Sequence, residues 1–229
     1  MPNCEFCGKE LEPILVEWDG KEYEMGYHDC DCPQAVEARR KAEAEELERL
    51  RATEAARISA DIESSGIPKR YRYVSHERAY EVAAAILGNR NCYIYGNVGT
   101  GKTTLASAAG LSLINDGEQI MFMSVSGLLS EIREFNKSII DDCKEIPVLI
   151  LDDLGKENPT GFVLERLFDI VDYRYSNLLP TIVTSQYSPA ELGKQMATTS
   201  GKTAVAIISR LRQECDVIEL TGKDRRLSC

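Results

Sequence analysis

No apolar run in this sequence is long enough to cross a bilayer; stretches such as Pro147–Leu151 and Ala204–Ile208 fall far short. The amino end, Met1-Pro-Asn-Cys-Glu, lacks a basic start and an apolar run. No secretory signal is therefore legible, and a cytoplasmic protein without membrane contact is expected. An excess of basic charge is missing too. The net charge is −10, which disfavours general adhesion to nucleic acid because phosphate attraction needs a basic surface. Any contact with DNA has to be local, and the segment holding Lys202, Arg210, Arg212, Lys223, Arg225 and Arg226 is one place for it. Glycine is absent from residues 33–64, and no internal repeat stands out. The eight cysteines are unevenly spread: Cys4, Cys7, Cys30 and Cys32 fall in the first 32 residues, while Cys92, Cys143, Cys215 and Cys229 are scattered. In a cell that keeps thiols reduced, such a cluster points to metal rather than disulfides.

What is present divides into three regions. Residues 1–32 hold the cysteine cluster and a hairpin signal, Asp19-Gly20, the preferred two-residue type I′ turn. With that turn Trp18 faces Lys21, and Ile14, Val16 and Trp18 share a face with Tyr23 and Met25. Continued outward, the register sets Cys7 opposite Cys32 and returns the second cysteine pair toward the first. Four thiolates are the usual tetrahedral complement of structural Zn²⁺, with His28 as an alternative to one sulfur. Cys92 and Cys143 read as core residues.

Residues 33–64 read as a charged helical arm opening at Pro33, with a thin apolar stripe of Leu47, Leu50, Ile58 and Ile62. The run Ser64-Ser65-Gly66-Ile67-Pro68 ends it. In residues 65–229 apolar strands alternate with helical patterns, as in a parallel α/β sheet flanked by helices. Strands are expected at Cys92–Tyr95, Gln119–Ser124, Val148–Leu151, Thr181–Thr184 and Asp216–Leu220. The helices expected include Lys102–Asn115, Ser126–Asn136, Thr160–Ser176 and Ala204–Gln213.

Between the first of these strands and its helix stands Gly96-Asn97-Val98-Gly99-Thr100-Gly101-Lys102-Thr103, which matches G-x-x-x-x-G-K-[ST] in full, with Thr104 following. Its glycines let backbone N–H groups wrap an anion at a helix N-terminus. Lys102 is expected on the β- and γ-phosphates of ATP, and Thr103 on Mg²⁺. The strand Val148–Leu151 is apolar on both faces, hence central, and it ends in Asp152-Asp153. Ligands bind beyond the carboxyl ends of such strands. Asp152 is therefore expected to hold Mg²⁺ and Asp153 to polarise the attacking water, the alternative for Asp153 being a helix cap.

With these residues the chain resembles the DnaC/IstB-like branch of the AAA+ ATPases, which includes bacterial and phage replicative helicase loaders. The likeness covers about Gly66–Arg226. It rests on Ile67-Pro68-Lys69-Arg70-Tyr71, the phosphate loop, Leu151-Asp152-Asp153-Leu154-Gly155, Leu179-Pro180-Thr181-Ile182-Val183-Thr184-Ser185-Gln186 and Ile208-Ser209-Arg210-Leu211-Arg212. The resemblance implies a sensor of the hydrolytic water at Gln186 and an arginine finger at Arg210, free to point outward and to act on a neighbour's γ-phosphate. It implies self-association, or stacking with a partner ATPase, in a ring or spiral. It also implies contact with single-stranded DNA through Ser126–Glu145, with Arg133, Phe135 and Lys137 as candidates. Asp153 stands where many AAA+ proteins carry Glu, and Gln186 where loaders often carry Asn and transposition helpers Gln. The function implied is slow, assembly-dependent ATP hydrolysis in DNA replication, with residues 1–64 gripping a replicative helicase. A transposition helper ATPase and an ATP-gated adaptor with little turnover are the alternatives.

Overall fold

The computed structural model describes every residue except 135, 137, 157–159, 214, 223 and 225–229. The DNA-contact candidates Phe135 and Lys137 and the basic residues Lys223, Arg225 and Arg226 thus lie outside the described residues. The chain divides into two compact units, Met1–Arg57 and Ile58–Cys229.

The first unit is built on an antiparallel pair, β1 (Pro13–Trp18) and β2 (Lys21–Tyr27). Asp19 and Gly20 both take positive φ, 52° and 69°, as a type I′ turn requires. The expected register holds from Trp18↔Lys21 to Leu15↔Glu24 and then slips by one, so that Ile14 faces Gly26 rather than Met25. Helix α1 (Pro33–Ser64) begins at the expected proline. Arg39 turns back from it, donating to the Cys30 carbonyl at 2.8 Å. The only cluster of buried apolar residues described in this unit is Cys4, Cys30 and Ala35, which is too little core to hold a small fold without a further constraint.

In the second unit five parallel strands form one sheet in the order β4-β5-β6-β3-β7. They are β3 (Asn91–Tyr95), β4 (Ile120–Ser124), β5 (Val148–Leu154), β6 (Thr181–Ser185) and β7 (Cys215–Glu219). The alternation along β5 divides the core. Val148 and Ile150 face a layer containing α2 (Ala79–Leu87), α3 (Lys102–Asn115) and, from α1, Ile58 and Ile62. Leu149 and Leu151 face α4 (Val125–Arg133), α5 (Ser138–Glu145), α6 (Gly161–Ser176) and α7 (Pro189–Arg212). Both faces are covered, which is why this strand reads as a continuous apolar run. The apolar stripe of α1 is divided too, for Leu47 and Leu50 are exposed.

Helix α7 is far longer than the expected Ala204–Gln213. Its start carries a capping box, with the Ser188 hydroxyl accepting from Glu191 N–H and Glu191 reaching back, and Pro189 in the first turn. A straight helix would set Gly193 and Ile208 roughly 22 Å apart at 1.5 Å per residue. The Ile208 side chain instead lies in ordinary contact range of Gly193, so the element is not straight and turns back on itself between these two residues. No helix among the described residues is long and apolar enough to cross a membrane.

Candidate functional site

The loop after β3 is shaped by its glycines. Gly96 has φ 148° where β7 ends against it; a Cβ there would run into the Leu220 carbonyl, whose own N–H donates to Tyr95 at 2.7 Å. Gly99 has φ 78°, and the Asp224 carboxylate packs where its Cβ would stand. Gly101 (φ 98°) caps α3. Such a run can turn successive N–H groups toward an anion at the head of the helix. Lys102 is buried, with Nζ donating to the carbonyls of Gly96 (2.9 Å) and Asn97 (2.8 Å). Thr100 donates to the same Asn97 carbonyl at 2.9 Å.

The acidic strand end meets this loop. The Thr103 hydroxyl lies 3.0 and 3.1 Å from the two carboxylate oxygens of Asp152, and the Thr184 hydroxyl donates to Asp152 Oδ1 at 2.6 Å. Burial pushes the Asp152 carboxyl above its usual range; the Thr184 hydrogen bond opposes this and the charge of Asp153 adds to it. A divalent cation at this point would reverse that penalty. Asp153 is not a helix cap. It lies within β5, one residue before the strand's end, in the left-handed region, φ 62°, with Lys156 Nζ at 3.5 Å from its carboxylate.

A cleft of about 540 Å³ opens here, lined by Val98, Gly99, Gly101, Lys102, Thr103, Thr104, Asp153, Lys156 and Gln186, with Arg70, Tyr71 and Val74 also on its wall; Asp152 lies behind Thr103, to which it is hydrogen-bonded. Its volume and donor set fit a nucleotide carrying a divalent ion. The structure places the expected phosphate loop, Asp153 and Gln186 on this cleft and Asp152 next to Thr103; Lys156, to which the sequence reading gave no role, lines it too, and Thr184 was read only as part of a motif.

Arg210 does not line this cleft, and it is not free to point outward. Its guanidinium pairs with Asp172 of α6 and lies 4.8 Å from the Phe168 ring centre and 5.8 Å from that of Tyr175. The reason is the doubled-back α7, which lays its last turns along α6. Arg133 is exposed at the end of α4.

In the first unit the four clustered cysteines come together, their sulfurs all within 4.8 Å of one another. Cys7 pairs with Cys30 (Sγ···Sγ 3.5 Å) and Cys4 with Cys32 (3.9 Å), not Cys7 with Cys32. The slip at Ile14/Leu15 and the tight turn closed by Gly8 N–H to Cys4 O (2.9 Å) displace the extrapolated register. A tetrahedron with Zn–S bonds near 2.3 Å has edges of roughly 3.8 Å, close to both separations. Backbone N–H groups of Cys7 and Phe6 pull the Cys4 thiol down to about 7, a direction that favours its thiolate, whereas the Cys30 thiol is raised by its neighbouring sulfurs and by burial. His28 is no member of the cluster. Cys92 and Cys143 are fully buried, and burial pushes the Cys143 thiol up to about 11.

A parallel sheet in which the phosphate-loop strand and the acidic strand flank β6, with Lys102, Thr103 and Asp152 converging at their ends, defines a P-loop ATP-binding protein of AAA+ type. The chain belongs to the family of IstB-like ATP-binding proteins, whose model matches residues 36–229. It is 24% identical over 250 residues to the replicative helicase loader DnaI of Bacillus subtilis, covering 98% of this chain and 78% of that protein. It is 27% identical to a protein described as an insertion-sequence ATP-binding protein of Sinorhizobium fredii, covering 60% of this chain and 56% of that one. Among solved structures, that of DnaI superposes with a TM-score of 0.62 at 26% identity, over 69% of this chain and 94% of that one. The structure of the DnaC helicase loader gives 0.56 at 22% identity, over 67% of this chain and 100% of that one, and shows the same fold. These likenesses support an ATP-binding AAA+ role related to replication or transposition.

Proposed function

We propose that this protein is a slow, assembly-dependent ATPase that loads a replicative helicase onto single-stranded DNA. The observation that carries this reading is the likeness to DnaI over 98% of the chain, which takes in the four-cysteine unit as well as the AAA+ core. The phosphate loop Gly96–Thr104 cradles the triphosphate, and Lys102 exchanges its two carbonyl partners for phosphate oxygens. Thr103 and Asp152 hold Mg²⁺, which when bound offsets the charge of the phosphate oxygens. Asp153 and Gln186 orient the attacking water from the cleft wall. Arg210 leaves Asp172 to serve a neighbouring subunit's site.

The cysteine hairpin holds Zn²⁺ in a closed site that supplies folding rather than chemistry. It presents Trp18 (75% exposed) and Met25 (71%) to a partner. Residues 1–64 thus form the grip on the helicase, and residues 65–229 the nucleotide-driven body that works on single-stranded DNA. The transposition-helper reading retains one specific support, Gln186 together with the IstB-like family match.

One experiment separates the two. The full chain is expected to capture a purified hexameric helicase and to carry one zinc by native mass spectrometry. Cys7→Ser should lose both the metal and the helicase while binding ATP as before. A zinc-free protein that still captures the helicase contradicts the grip, and capture of a transposase instead supports the helper.

A further inference from the structure

The two acids sit on a fault in the sheet. β5 and β6 run in register to Leu151↔Val183 and resume at Leu154↔Ser185. Asp152 and Asp153 together therefore face a single residue, Thr184. This is a β-bulge, a device that bends the strand and re-aims side chains at the expense of ladder hydrogen bonds. Asp153 takes the left-handed backbone, which a non-glycine residue keeps only where its surroundings hold it.

Thr184 supplies what the bulge removes. It is fully buried. Its hydroxyl accepts from the Asp153 N–H at 2.9 Å and donates its one proton to Asp152 Oδ1 at 2.6 Å. One oxygen thus fixes the backbone of one acid and the carboxylate of the other. Thr103 also touches that carboxylate, but its hydroxyl is the group expected to turn to the metal. Thr184 is the partner that ion binding leaves in place.

We infer that Thr184 is the positioning residue of this site, aligning the metal-holding Asp152 and the water-orienting Asp153 as one unit. The inference rests on the proposed ATPase reading of those two acids. Outer partners of metal-binding carboxylates matter for affinity as well as rate, and their loss typically weakens either by about 10–100-fold. A threonine that merely filled the sheet would change stability and leave the magnesium response alone.

The test uses Thr184→Val, which keeps the shape and removes the hydroxyl, in the full chain. Affinity for a fluorescent ATP analogue is measured in EDTA and across a magnesium titration, with kcat and KM at saturating magnesium. Binding in EDTA should be unchanged, while the half-saturating magnesium concentration rises about tenfold or more and kcat falls by a similar factor. Thr184→Ser retains the hydroxyl and should restore both; Thr184→Ala should behave as the valine variant and decides the matter if valine prevents folding. A native magnesium response in the valine or alanine variant, or a serine variant as impaired as alanine, overturns the inference alone. Absence of any magnesium response in the unaltered protein overturns the ATPase reading with it.

Discussion

Arg174→Met is expected to destabilise the α/β unit by about 4 kcal/mol, lowering its melting temperature by roughly 8–16 °C. Arg174 is almost completely buried, near the carboxyl end of α6. Its guanidinium donates to the carbonyls of Cys143 (3.0 Å), Lys144 (3.3 Å), Ile146 (2.7 Å), Pro147 (3.1 Å) and Pro180 (2.7 Å), and to the Thr181 hydroxyl (2.9 Å). One side chain thereby satisfies the last turn of α5 and the entries to β5 and β6, and its charge suits the negative end of α5. Burial pulls the guanidinium down to about 10, so it stays charged near neutrality.

Replacing a buried ion pair with apolar residues on both sides is often neutral. Here the partners are backbone carbonyls, which no substitution removes, and each left unpaired in the interior costs about 1–3 kcal/mol. Rearrangement and entering water recover part of that sum. Urea unfolding of the variant checks the figure. A loss below about 1 kcal/mol would mean the carbonyls find other partners at little cost.

Arg210→Ala is expected to cut ATP turnover by about 10³-fold or more while leaving the affinity of a single chain for ATP unchanged, since a finger acts on charge that develops during transfer. The ion pair with Asp172 offers a rival explanation, in which Arg210 only ties α7 to α6. Asp172→Ala discriminates, because it breaks the same partly exposed pair, whose worth is about 0–1 kcal/mol. If Arg210 works in trans, Asp172→Ala turns over ATP normally or faster, its arginine being released. If Arg210 is structural, the two variants fail alike. Mixing Arg210→Ala with Lys102→Ala adds a second check. Only a trans finger lets two inactive proteins regain activity together, through the interface that joins an intact finger to an intact phosphate loop.

The site was legible where its chemistry is local. The phosphate loop and the acidic strand end are read from spacing, because glycine freedom, a helix start and a doubly buried strand are all written within a few residues. Arg174 was not legible. In Tyr173-Arg174-Tyr175 it resembles any basic residue closing an amphipathic helix, and only the packing of α5, β5 and β6 around it gives it partners. Thr184 was visible only as a motif letter, since the bulge that makes it matter is a relation between two strands.

Other features had a signal that went unused. Ser188-Pro189-Ala190-Glu191 is a helix start in full, yet α7 was expected only from Ala204. Gly26, with φ 145°, is the kind of lone strand glycine that marks a bulge, and it stands where the hairpin register slips.

All of this depends on one claim, that Lys102 and its loop hold the phosphates of ATP beside a magnesium ion on Asp152. The direct measurement is calorimetric titration of the full chain and of Lys102→Ala with magnesium–ATP. Because Lys102 is buried and bonded within the loop, circular dichroism on the same samples establishes that both are folded. The unaltered protein is expected to bind, and the folded variant to lose roughly 2–3 kcal/mol or more of binding free energy, the scale of a charge-assisted contact to a desolvated anion. A folded Lys102→Ala that binds magnesium–ATP as tightly as the unaltered protein would contradict the account.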